Sequence, residues 1–173
     1  MTPLEEATSR LVKNEVGEIG LPVSYPFGCL IHAGRKVQKQ GRTNWTNAES
    51  SEIPTVLEIE EEFLVLTNGD GQPAPWKPLF SVPYNEKGIP VPLVRPRFPN
   101  WEATFTLVLE DKEMSEKTCR RLVDVAGTKV GVGSWSPRRK GRFGRFRVKT
   151  WEILSKDEET EAEGAEEAAE AQG

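Results

Sequence analysis

Charges of opposite sign are sorted along this chain rather than mixed. Between residues 125 and 151 there is no Asp or Glu, yet eight cations occur: Lys129, Arg138, Arg139, Lys140, Arg142, Arg145, Arg147 and Lys149. From residue 155 onward the balance inverts, with eight carboxylates against Lys156 alone, a local charge of −7. The whole chain carries −4, so everything before the tail sums to +3. The tail is Glu- and Ala-rich with almost no bulky apolar residue, and such a segment cannot bury enough surface to offset the entropy of ordering. Three regions are therefore expected: a mobile lead-in over 1–19, an α+β domain over 20–154, and a disordered acidic tail over 155–173.

The remaining composition narrows the class. A chain of 173 residues suits one domain with extensions. No apolar run approaches the ~18 residues of a membrane span. The first ten residues lack the basic and apolar regions of a signal peptide, which points to the cytoplasm, that of a host cell if the protein is phage-encoded. Cys29 and Cys119 stand far apart without Cys-x-x-Cys or Cys/His spacing, so two buried reduced thiols are expected and no zinc site. In that compartment the sequon Asn44-Trp45-Thr46 has no route to glycosylation.

Periodicity predicts a weak helix over 4–13 and a core helix over 27–39, in which Leu30, Ala33, Gly34 and Val37 share one face. Alternation over 54–66 predicts a strand, followed by turn chemistry at Asn68-Gly69-Asp70-Gly71. Eight prolines between 73 and 99 allow only edge strands and extended loops there. A strand is predicted over 101–109. Ser115 reads as the N-cap of a helix over 116–126, with Gly127 as its C′ residue and Cys119, Leu122, Val123 and Ala126 as its apolar stripe. A glycine-rich loop leads to a last strand over 142–154. This order approximates βαββαβ, a ferredoxin-like or RRM-like antiparallel sheet with two helices on one face.

The chemistry concentrates in that loop and strand. Glycines at 131, 133, 141 and 144 allow close backbone approach and positive φ. Arginines offer forked donors to phosphate oxygens and flat faces to bases. Trp135 and Phe143 offer surfaces on which unpaired bases stack. Together these residue types suit single-stranded RNA or DNA. The candidate binding residues are Lys129, Gly131, Gly133, Trp135, Arg138, Arg139, Lys140, Gly141, Arg142, Phe143, Gly144, Arg145 and Arg147. Strand alternation puts Arg145 and Arg147 on one face, Phe146 and Val148 on the other, and Phe143 exposed on the arginine side. The plainer reading is an ordinary basic hairpin whose Phe143 and Phe146 belong to the core.

A helix ending in Ala126-Gly127, then Val130-Gly131-Val132-Gly133-Ser134-Trp135, Pro137-Arg138 and Gly141-Arg142-Phe143, resembles the C-terminal glycine-rich loop of the RAMP superfamily. These are CRISPR-associated proteins of ferredoxin-like fold that bind guide RNA. The ending is also similar to small phage-type proteins of that fold. The resemblance covers residues 115–151 and implies that Gly131, Gly133, Gly141 and Gly144 shape a loop that contacts nucleic acid. The chain departs from RAMP proteins in its short length and acidic tail.

Other chemistries find less support. His32 is the sole histidine and has no identifiable partner for general acid–base work, so a structural role is favoured over a ribonuclease. Gly127-Thr128-Lys129 lacks Walker A spacing, and Gly131-Val132-Gly133 follows a helix rather than a first strand. Glu58, Glu60, Glu61 and Glu62 read as a solvated strand face rather than a metal site. Arg95 and Arg97 sit in a rigid Pro-containing stretch that extends the basic surface. No catalytic residue, metal or cofactor is assigned. The alternative function is that of an assembly protein, phage-type, whose basic stretch meets an acidic protein.

The acidic tail is a solubilising segment, a tethered polyanion competing for the basic stretch, or the contact for a protein partner. If it competes, truncation after Leu154 tightens binding to single strands at low salt and much less at high salt, because tethering raises the effective concentration of the competing charge. Titration of both forms at two ionic strengths measures this, and equal affinities would leave the tail a solubilising role.

Overall fold

Two apolar stripes that have no other place to go form the centre of the molecule. The computed structural model describes residues 1–39, 41–110 and 112–154, so the tail and its predicted disorder lie outside the described residues. Helix α1 spans Pro3–Ser9, α2 spans Ser24–Ala33, α3 is the single turn Ile53–Val56, and α4 spans Glu116–Val125. Leu30, Ala33, Gly34 and Val37 are all buried, as their spacing requires, although Gly34 and Val37 belong to a 3₁₀ turn (Gly34–Lys36) and its exit rather than to a continuous helix over 27–39. The stripe Cys119, Leu122, Val123 and Ala126 of α4 faces them, with Trp45, Ile53 and Met114 in the same core. Ser115 caps α4 by accepting from the Thr118 amide at 3.2 Å. Both cysteines are buried and free.

The strands are short: β1 Gly20–Pro22, β2 Leu57–Ile59, β3 Phe63–Val65, β4 Lys77–Ser81, β5 Leu93–Arg97 and β6 Leu107–Leu109. They pair as three antiparallel ribbons, β1–β3, β2–β6 and β4–β5. The class is mixed α and β with small antiparallel sheets, and the described strands do not pair into the single four-stranded sheet of a ferredoxin-like fold.

The strand predicted over 54–66 is divided, for identifiable reasons. Pro54 supports the helical turn α3 instead of starting a strand. The run Glu60–Glu62 then breaks the extended chain. Glu61 folds back so that both carboxylate oxygens accept from the Thr106 amide, at 2.9 and 2.7 Å. The Glu62 carbonyl accepts from the Val23 amide, and the chain passes from β6 to β1 as its partner. The same bend removes the partner for 103–105, so the strand predicted over 101–109 survives only as β6, while Glu102 bridges Thr67 by backbone bonds of 2.7 and 2.9 Å.

The proline-rich region forms the β4–β5 ribbon, with Pro78 opposite Pro96. The Val94 amide leaves the ladder to donate to Glu6 Oε1 at 3.0 Å, so Phe80–Val94 is a pair without cross-strand bonds. Two residues along, Pro78–Pro96 is another such pair, where a missing N–H costs no ladder bond. Helix α1, within the predicted lead-in, packs on this ribbon with Ala7 fully buried.

The C-terminal residues 142–154 run extended but pair with no strand, unlike the predicted last strand. They lie along α4. The Phe146 amide donates to the Gly127 carbonyl (3.1 Å) at one end, and the Trp151 indole donates to Glu116 (3.0 Å) at the other. Gly127 is not a C′ residue with positive φ, since the helix runs on through a π-type turn, Ala126–Val130. Its lack of a side chain admits Phe146, whose carbonyl would lie 2.2 Å from any Cβ there.

Gly144 (φ +76°) is tighter still: a Cβ would sit 1.7 Å from the Val132 carbonyl oxygen. Gly144→Ala is expected to cost at least about 2 kcal/mol, from backbone strain plus the clash. That lowers Tm by about 4–8 °C on the scale of 2–4 °C per kcal/mol. Gly133→Ala, where nothing lies within 4 Å, incurs only the conformational part, about 1 kcal/mol. Thermal melts of the two variants test the ranking, and equal melting points would contradict it.

Candidate nucleic-acid interface

The glycine-rich loop has to fold on itself before it can meet anything else. The Val132 amide donates to the Gly144 carbonyl (2.9 Å), and the Phe143 amide to that of Trp135 (2.9 Å). Gly131, Gly141 and Gly144 are occupied by these self-contacts rather than by space for a phosphate, and only Gly133 of the four faces an open surface. Ser136 is buried beneath the short 3₁₀ turn Pro137–Arg139, which is closed by bonds from the Arg139 and Gly141 amides to the Ser136 carbonyl. The turn projects its arginines because Lys140 reverses the chain in the left-handed region, at φ 62°.

Opposite the loop stand β5 and the end of α1. The Thr2–Glu5 capping box sets α1, and Glu6 Oε1 then accepts from both the Val94 amide and Arg10 Nη2, the latter at 3.2 Å. These two donors, the Val94 amide first, hold the Glu6 carboxyl below its ordinary pKa. One carboxylate thus fixes Arg10 beside β5.

Between loop and ribbon runs a cleft of about 710 Å³. Its walls carry Arg10, Arg95, Arg97, Arg138, Arg139, Arg142 and Arg145, and no Asp or Glu. Of these seven arginines, only Arg10 forms an ion pair among the described residues. Two guanidiniums approach the Phe143 ring, with Arg97 Cζ at 5.0 Å and Arg142 Cζ at 5.2 Å from its centroid, and the Trp135 ring lies 5.7 Å away. Phe143 is half-buried, not exposed.

Burial, then Arg10 and Arg139, make the charge on Arg95 less favourable. Burial, then Arg139 and Arg35, do the same at Arg138. His32 titrates below its ordinary value because of burial and, after that, Arg138 and Arg35. Burial pushes the Cys29 thiol up to about 12, and its Sγ donates to the Ala126 and Gly131 carbonyls at 3.2 and 3.4 Å. Such a thiol is a structural donor rather than a nucleophile.

Of the residues singled out in the sequence, Gly131, Gly133, Trp135, Arg138, Arg139, Arg142, Phe143, Gly144 and Arg145 line the cleft. Lys129, Lys140, Gly141 and Arg147 do not. Arg145 and Arg147 are both exposed, with Phe146 and Val148 turned toward the core, but only Arg145 borders the cleft. Lys149 pairs with Glu102, a carboxylate remote in sequence. Arg95 and Arg97 extend the basic surface into the cleft. Arg10 is the residue that sequence reasoning missed. It lies in a short segment of mixed charge, and the packing of α1 on the ribbon, with the Glu6–Val94 bond made across 88 positions, carries it into place. His32 is not among the lining residues, and no group of three His, Cys, Asp or Glu that could hold a metal occurs among the described residues. No described helix is long and apolar enough to cross a membrane. No protein-family model, curated protein or solved structure matches the chain.

Because Arg138 is one cause of the depressed His32 titration, a polyanion seated on Arg138 should raise the His32 midpoint. The midpoint in the free protein should fall below the ordinary ~6.5. Protonation then favours the unfolded chain, so this contribution to stability is present above pH ~6.5 and lost as pH falls through the folded value. NMR of the sole histidine, with and without a saturating oligonucleotide, measures both. An unchanged midpoint would mean that the ligand leaves Arg138 untouched.

Proposed function

We propose that this chain binds single-stranded nucleic acid, RNA or DNA, without catalysis, in the arginine cleft between the glycine-rich loop and the β4–β5 ribbon. The observation that carries this reading is a concave wall of seven arginines with no carboxylate. Like charges so gathered repel one another, and a polyanion relieves that repulsion while releasing its own counterions. The cleft has the volume of a small-molecule site, which accepts unpaired nucleotides rather than a duplex. The half-buried Trp135–Phe143 pair gives bases a stacking surface.

The succession of α4, glycine-rich loop and extended segment is what supports a RAMP-like origin for the loop, while three strands, β3 to β5, stand between β2 and β6. The ribbon pairing found here is the feature such a relationship would have to accommodate. A second reading, an assembly protein, is favoured by one observation: Phe80, Val82, Tyr84, Ile89 and Val91 are all exposed toward the far end of the ribbon.

Fluorescence anisotropy with labelled single strands, at several salt concentrations, tests the proposal. Arg145→Ala should weaken binding across sequences and reduce the salt slope by about 0.7, the value of one phosphate contact on a single strand. Arg147→Ala, outside the cleft, should leave the slope nearly unchanged. Trp135→Ala should cost about 1–3 kcal/mol with little change in slope. Failure of the folded protein to bind any single strand at low salt would overturn the reading in favour of the protein-partner alternative.

A further inference from the structure

The arginines are not spread evenly along the cleft. At the α1 end, Glu6 accepts from both Arg10 and the Val94 amide, which sets Arg10 beside half-buried Arg95 of β5, and Arg139 lines the same cleft. Arg10 comes from the end of α1, Arg95 from β5 and Arg139 from the 3₁₀ turn, so three separate segments bring them together. Glu6 offsets Arg10, while Arg95 and Arg139 have no carboxylate partner among the described residues. The cluster therefore holds at least two uncompensated positive charges, with Arg138 a further one beside Arg139. The same part of the protein supplies hydroxyls. Ser136, 2% exposed, lines the cleft, and its hydroxyl has no hydrogen-bond partner among the described residues. Ser81, also buried, reaches its one acceptor among the described residues, the Leu93 carbonyl, at a long 3.4 Å. Farther along, Arg97 and Arg142 are committed to the Phe143 ring, an arrangement suited to a base.

A phosphodiester carries one negative charge. A terminal phosphomonoester carries about −1.5 to −2 near neutral pH and presents three acceptor oxygens. Two uncompensated guanidiniums with a free buried hydroxyl match the second group, not the first. We propose that Arg10, Arg95, Arg139 and Ser136 form a subsite for the terminal phosphate of the bound single strand, so that the protein recognises a phosphorylated strand end. This inference rests on the single-strand reading above. It adds polarity to that reading: the strand's end is seated at α1 and its following bases pass toward Phe143 and Trp135.

The test is competition for the full chain by short oligothymidylates bearing a 5′-phosphate, a 3′-phosphate or neither. One phosphorylated form should bind about tenfold or more tightly than the unphosphorylated strand, the expected effect of added charge-assisted bonds. Arg139→Gln, on an exposed turn whose loss does not threaten the core, should collapse that ratio toward one. Arg95→Gln should do the same, with its thermal melt checked in parallel. Ser136→Ala should lower the ratio in part. Equal binding of all three strands would overturn the subsite while leaving the cleft as a single-strand site. Binding of none would overturn the underlying reading. A preference that survives both arginine substitutions would place the end elsewhere and overturn the assignment. Competition by thymidine 5′-monophosphate as effective as that of the phosphorylated strand would overturn the claim that the phosphate belongs to a strand.

Discussion

Everything at the arginine cleft depends on a backbone that approaches another backbone with nothing between them. The Gly127 carbonyl meets the Phe146 amide, and the Gly144 carbonyl meets the Val132 amide, at 3.1 and 2.9 Å. No strand ladder supports residues 142–154, so these bonds, with Phe146 on the core and the Trp151–Glu116 contact, hold the segment along α4. Any side chain at 127 or 144 would force the two chains apart. The loop's glycines therefore build the protein's own shape first, and the placement of the arginines is a consequence of that shape.

That placement works against the folded state. Arg95 and Arg138 are partly desolvated and face other guanidiniums, and both effects disfavour their charge. The cost is offset by the core that backs the cleft, between α2 and α4, where Leu30, Ile53, Met114 and Leu122 are almost completely buried. A rigid core directly behind the charged wall is how a small domain keeps a preformed cationic surface. A ligand meeting that surface need not order it, so less of the interaction energy is lost on binding.

Much of this architecture is legible in the sequence wherever the cause is local. The Ser115 cap, the stripe of α4, the buried face of α2, the Asn68 turn and the confinement of prolines to a ribbon all follow from neighbours a few residues apart. What is not legible comes from distant partners. Alternation from 54 to 66 gives no hint that Glu61 will turn back to cap the Thr106 amide and so end β2. The absence of carboxylates between 125 and 151 makes all eight cations look free, yet Glu102 reaches Lys149 from 47 positions away. Arg145 and Arg147 share a side by alternation, but which of them borders the cleft depends on where β5 and α1 lie. Arg10 enters the site through a hydrogen bond that no pattern in its own segment announces.

The outward edge of β5 has a consequence of another kind. Its rungs facing away from β4 offer almost nothing to a visiting chain: Pro96 has no N–H, and that of Val94 is spent on Glu6. A two-stranded arm bearing exposed Phe80 and Tyr84 would otherwise be an open template for strand-by-strand recruitment, the route by which sheets polymerise. This edge is closed by chemistry and by cover together, since the helix that supplies Glu6 also lies against the strand.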